Sequence, residues 1–79
     1  MDSFIARNAF AITPDDTAAL NPIPQKVYVG GAGNITCRLR GDSADVVFNG
    51  VPVGTVLPIE AQYVRATGTT ATLLRGLIG

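Results

Sequence analysis

The chain has 79 residues, which is one domain at most, and a core that small rarely supplies more than about 3–5 kcal/mol of stability. One cysteine and no histidine exclude an internal disulfide and the usual zinc sites, leaving oligomerisation as the ordinary support for such a fold. Basic and acidic residues balance at 6 each, which removes the basic stripe that nucleic-acid binding needs.

Charged residues make up 15% and apolar residues 47%, whereas soluble domains average roughly 25% charged. So few charges cover a small surface poorly, and part of the apolar surface is expected to meet another chain. Residues 1–25 carry three aspartates and one arginine, while residues 26–79 carry five basic and three acidic residues. The apolar runs fall far short of the ~20 residues of a membrane span. The opening MDSFIARNAFAITPDD lacks the basic-then-apolar pattern of a secretory signal. Assembly in a cytosol, or in a particle built there, is therefore expected.

Residues 1–25 read as an extended N-terminal arm and residues 26–79 as a small β domain. In the arm, Phe4, Ile5, Phe10 and Ile12 follow no clean period, and Pro14 limits any helix. Thr13 is a candidate N-cap for one short helical turn reaching Leu20. Asn21-Pro22 and Ile23-Pro24 impose extended or turn conformations. An arm with these four large apolar residues either folds over its own sheet or lies on a neighbour. The second, which is favoured, makes Phe4, Ile5, Phe10 and Ile12 candidates for contact with a neighbouring subunit.

Residues 26–30, KVYVG, form the first expected strand. The run Gly30-Gly31-Ala32-Gly33-Asn34 reads as a hairpin turn. A phosphate-binding glycine loop would open a helix, and here another strand follows. In residues 34–40, NITCRLR, the residues Ile35, Cys37 and Leu39 share one face and Thr36, Arg38 and Arg40 the other. Cys37 belongs to the apolar set and has no histidine to activate it, so it reads as a packed thiol. Asn34-Ile35-Thr36 spells a glycosylation sequon, incidental without a secretory signal. Residues 44–49 form the next strand, and Gly50, Pro52 and Gly54 bracket a loop.

Residues 54–72, GTVLPIEAQYVRATGTTAT, read as the central hairpin. Pro58 cannot donate to a ladder and marks an edge, bulge or bend. Along residues 59–67, Ile59, Ala61 and Tyr63 share a face with Arg65, and Glu60, Gln62, Val64 and Ala66 share the other. Neither face is dry, which suits a strand that meets a second subunit, with Tyr63, Val64 and Arg65 as contacts. Residues 70–78 are apolar on both faces, Leu73 and Leu77 on one, Leu74 and Ile78 on the other. Burial on both sides is expected, with Leu74 and Ile78 as further interface candidates. Five or six short strands with Gly or Pro turns every 8–12 residues indicate an all-β fold, a small antiparallel sandwich or barrel.

Residue supply argues against chemistry. There is no histidine and no well-placed acid pair. Asp42, Ser43 and Asp45 lack the ligand count and closing glutamate of a calcium loop. No catalytic, cofactor-binding or metal-binding residues are assigned.

Three segments carry a resemblance. VYVGGAGNI at 27–35, VVFNGVPVGTVLPI at 46–59 and VRATGTTAT at 64–72, in that order and spacing, resemble the small spike base proteins of tailed phages and gene transfer agents. The likeness runs from Thr13 to the C-terminus. Glu60, Ala61 and Gln62 stand where that family often has a basic pair, and the chain ends in Gly76-Leu77-Ile78-Gly79. The resemblance implies a non-enzymatic virion structural protein, a spike base or head decoration protein docked on the capsid surface and assembled in the host cytoplasm. It further implies a homo-oligomer, a pentamer at a capsid vertex or a trimer elsewhere. Its implied partners are the major capsid protein and a host-facing fibre or spike, with no cofactor, nucleic acid or membrane. The alternatives are a tail or baseplate adaptor and, on weaker grounds, a small carbohydrate-binding module.

Overall fold

The computed structural model describes residues 5–79. They form seven strands, β1 (Asn8–Ala11), β2 (Lys26–Gly31), β3 (Gly33–Leu39), β4 (Val46–Val51), β5 (Val56–Leu57), β6 (Ala61–Val64) and β7 (Thr72–Ile78), and no helix. A four-stranded sheet runs β1-β7-β2-β5 and a three-stranded sheet β4-β3-β6, with antiparallel pairing throughout. The fold is a small all-β sandwich. Its core is the layer of Ile12, Val27, Val29, Ile35, Cys37, Val51, Ala61, Val64, Ala71 and Leu74 between the sheets.

Both expected hairpins turn out to be crossings. β2 and β3 lie in different sheets, as do β6 and β7. The 30–34 glycine run therefore carries the chain over the sandwich edge, and residues 65–71 return it. Close approach explains the glycines better than hairpin geometry does: a Cβ on Gly30 would lie 2.7 Å from the Cβ of Leu73 on the neighbouring strand. Asn34 clasps this corner. Its Oδ1 accepts from Gly50 N at 2.8 Å, its N–H donates to Thr70 Oγ1 at 2.8 Å, and its carbonyl accepts from the N–H groups of Thr70 and Ala71.

The arm expected beside the β core is in part built into it. β1 pairs along β7 from Asn8↔Ile78 to Ala11↔Arg75, and Ile12 is a core residue. The reason is visible in β7, where Gly76 leaves a gap between strands that the Phe10 ring fills; a Cβ on Gly76 would lie 2.4 Å from Phe10 Cζ. The rest of the segment lies along β6, where Asp15 N donates to Val64 O and Leu20 N to Gln62 O, each at 2.8 Å. This covers an edge that would otherwise present unpaired backbone. Asp15, not Thr13, caps the local bend: its Oδ1 accepts from Thr17 N at 2.8 Å and Ala18 N at 2.9 Å, and no helical turn forms.

The mixed faces of residues 59–67 have a local cause. The β3–β6 register shifts between Arg38 and Leu39, and the bulge lets Ala61 and Val64 both point inward. An odd spacing between two inward residues is the signature of such an insertion. β7 likewise departs from expectation. Leu74 is buried but Leu73, its neighbour on the opposite face, is exposed, and Leu73 takes a left-handed conformation (φ 53).

Replacing Gly76 by Ala should displace the Phe10 ring and loosen β1 while β2–β7 remains paired. Amide exchange of residues 8–11 is expected to speed up by roughly an order of magnitude or more relative to β3; equal protection in both proteins would show that the gap is not needed.

Candidate assembly interface

The described residues form no pocket and no cluster of three metal-ligating side chains; the residues expected at an interface lie on or near the two outer faces of the sandwich or in its core. The sequence-based interface candidates separate by depth. Ile12, Val64 and Leu74 are core residues of the single chain, at 6%, 1% and 1% exposure, and offer nothing to a neighbour. For Val64 the bulge reverses the expected face; for Ile12 and Leu74 the sandwich interior takes the side chain. Phe10 is half-buried against Gly76, and Ile78 is half-buried at the end of β7. Ile5 is 71% exposed, and Phe4 lies outside the described residues.

Tyr63 and Arg65 are brought together on the outer face of the three-stranded sheet, with Arg38 added. Arg38 and Tyr63 are direct cross-strand partners. The Arg38 and Arg65 guanidinium carbons lie 4.3 and 4.2 Å from the Tyr63 ring centroid, within cation–π range. Arg65 is held from two sides. Its Nε contacts Asp45 Oδ2 at 3.2 Å, and its Nη1 donates to the Asp16 carbonyl at 2.7 Å. Asp16 in turn accepts from Thr67 N and Thr67 Oγ1, each at 2.8 Å. The arm, the β4 approach and β6 thus meet at one arginine.

These hydrogen bonds favour the ionised carboxylates. Asp15 is held below its usual range by the N–H groups of Ala18 and Thr17, and Asp16 by the N–H and hydroxyl of Thr67. Burial, with Asp45 and Asp42 nearby, raises the Cys37 thiol to about 11, so it is a neutral packing group at neutral pH.

A second surface was missed in the sequence. On the outer face of the four-stranded sheet, Tyr28 stands between Arg75 and Val56 in register, with Tyr28 and Val56 both exposed. Leu73, opposite Gly30, is 61% exposed. Leu73 bears two costs at once, an unfavourable left-handed backbone of about 1–2 kcal/mol and an apolar side chain in water. Alternation along 70–78 assigned it to a buried face, and no sequence signal marks the conformation that exposes it.

No family model matches the chain, and no curated protein matches it. Among solved structures it is similar to a protein chain in the capsid of a native GTA particle, computed with C5 symmetry, with a TM-score of 0.85 and 32% identity over 94% of this chain and 84% of that one. The chain belongs to the family of that capsid-particle protein. A match over 94% of this chain makes the sandwich as a whole the shared unit.

Val64→Asp is expected to unfold the protein, since a carboxylate among Cys37, Ala61 and Leu74 has no partner and its cost approaches the whole stability of a small domain. Loss of the circular-dichroism signal at neutral pH would establish this; a folded variant with altered assembly would return Val64 to the interface. The lowered carboxyls of Asp15 and Asp16 contribute stability present above their ordinary value of 3.8 and lost as pH falls below it. A denaturation series from pH 7 to 2 should therefore show a steeper acid loss for wild type than for the Asp15→Asn, Asp16→Asn double variant. Matching slopes would mean that these bonds do not survive in solution.

Proposed function

We propose that the protein is a non-enzymatic structural component of a phage-like or gene-transfer particle, docked on the capsid surface as a spike base or head decoration protein and anchoring a host-facing fibre or spike. The observation that carries this reading is the likeness, along nearly the whole chain, to a protein of a native GTA capsid. The molecule's physical character supports it. Its charge is low, and it displays Tyr28, Val53, Val56 and Leu73 to water.

On this reading the protein acts as a homo-oligomer, a pentamer if it sits at a capsid vertex and a trimer if it decorates the shell elsewhere. Self-association would cover the apolar outer face of the four-stranded sheet, for which a monomer of this size has no other use. Ile5, ahead of β1, is placed to reach a neighbouring copy, while residues 8–25 wrap the domain's own sheets. The major capsid protein and the fibre or spike are the remaining partners.

Light scattering on the purified protein, followed by sedimentation with capsid shells assembled without it, tests the reading. The expected result is an oligomer that co-sediments with shells and appears as an ordered ring at one class of site in a particle image. A stable 8.2 kDa monomer that never binds shells would overturn it.

A further inference from the structure

We infer that the outer face of the three-stranded sheet is a receptor for a carboxylate carried by the capsid shell protein, with Arg38 as the receiving group. The inference rests on the docking role proposed above and names the chemistry of one of its contacts.

It starts from the distribution of charge. Among the described carboxylates Asp15 and Asp16 are occupied by backbone and hydroxyl donors, Asp45 by Arg65 and Glu60 by Arg40 at 3.7 Å. Arg38 has none of them. Its one recorded contact through the guanidinium is the Tyr63 ring, and its Nε is buried without an acceptor. A covered donor left without an acceptor costs about 1–3 kcal/mol, more than a cation–π contact at a partly exposed site returns. Arg38 keeps its head against Tyr63 all the same, with Nε covered and only its Nη groups left open to a partner, beside a second guanidinium whose charge Asp45 already offsets.

The result is a planar cation held in place with its charge uncompensated. A rigid guanidinium fork matches a carboxylate in two-point geometry, and a pre-ordered one loses less entropy on binding. An acidic protein side chain fits this face better than phosphate, because nucleic acid needs several cations in a track and Arg65 and Arg40 are already paired. A second copy of this chain fits less well, because most of its described carboxylates are spent; Asp42 alone among them has no recorded side-chain partner.

The test is the affinity of purified protein for capsid shells assembled without it, measured at increasing NaCl. Wild type is expected to bind with salt-dependent affinity. Arg38→Gln should bind roughly tenfold or more weakly, with a flatter salt dependence, and should keep the wild-type oligomeric state and melting temperature. Arg38→Lys retains the charge without the planar fork and should fall between the two; it also decides the matter if Arg38→Gln misfolds. Wild-type binding with unchanged affinity in Arg38→Gln and Arg38→Lys overturns the inference and leaves the docking role standing. Failure of wild type to bind shells overturns the docking role and the inference together. A change in oligomeric state without a change in shell affinity assigns the carboxylate to a second copy, and displacement of the protein from shells by a DNA oligonucleotide assigns the face to phosphate; either outcome overturns the inference as stated.

Discussion

The pairing of β7 with both β1 and β2 is the contact on which the rest of the sandwich depends. The last strand of the chain lies inside the four-stranded sheet, so that sheet has no centre until the C-terminal residues arrive. Its fit is close on both sides. Phe10 fills the space above Gly76, and Gly30 admits Leu73. Because β1 and β7 are separated by most of the sequence, their pairing closes a long loop before it returns any burial, which is the slow step expected of such a topology. The Asn34 clasp and the Asp16–Thr67 bonds then fasten the crossings that bring β7 into position.

That arrangement also determines what is left for the outside. The interior uses small and branched residues, and the larger or charged ones are displaced to the two outer faces. On one side lie Tyr28, Val56 and Leu73 with Arg75 and Lys26 among them; on the other lie Arg38, Tyr63 and Arg65, cationic and aromatic. Leu73 faces water opposite Gly30, with a left-handed backbone. A left-handed leucine is seldom retained without a compensating contact, and burial against another chain would supply one.

The class of fold could be read from the sequence because strand propensity and Gly or Pro punctuation are local properties. The clean alternation of residues 34–40 marks β3, and Ile35 and Cys37 are buried as expected with Leu39 half-buried, but Thr36, assigned to the other face, is buried as well, under Gly68. Connectivity could not be read in the same way. A glycine run between two strands looks the same whether it makes a hairpin or a corner between sheets, and only the partners of β2 and β3 distinguish the two. The bulge at β6 lies outside any periodic template, which is why Val64 was placed outward. β1 is too short and too polar at Asn8 to declare itself, and its pairing depends on a glycine more than sixty residues away. Of the interface candidates, Tyr63 and Arg65 lie together on the outer face of the three-stranded sheet. Arg38 was placed on the correct face with no hint of its partner.

A sandwich keeps its two outer faces on opposite sides of a layer about 10 Å thick. Two partners can therefore be engaged at once without competing for area, provided the faces differ enough in chemistry that neither partner binds the wrong one. Here they do differ. An apolar face gains affinity from desolvation and tolerates shifts in position, whereas a guanidinium held against a ring demands a carboxylate in a set geometry. If the domain sits between a shell and an appended fibre, as proposed, one face would supply adhesion and the other orientation. The corner glycines and the clasp at Asn34 contribute to neither contact directly. They hold the two sheets in register, so that the direction imposed at one face is carried rigidly to the other.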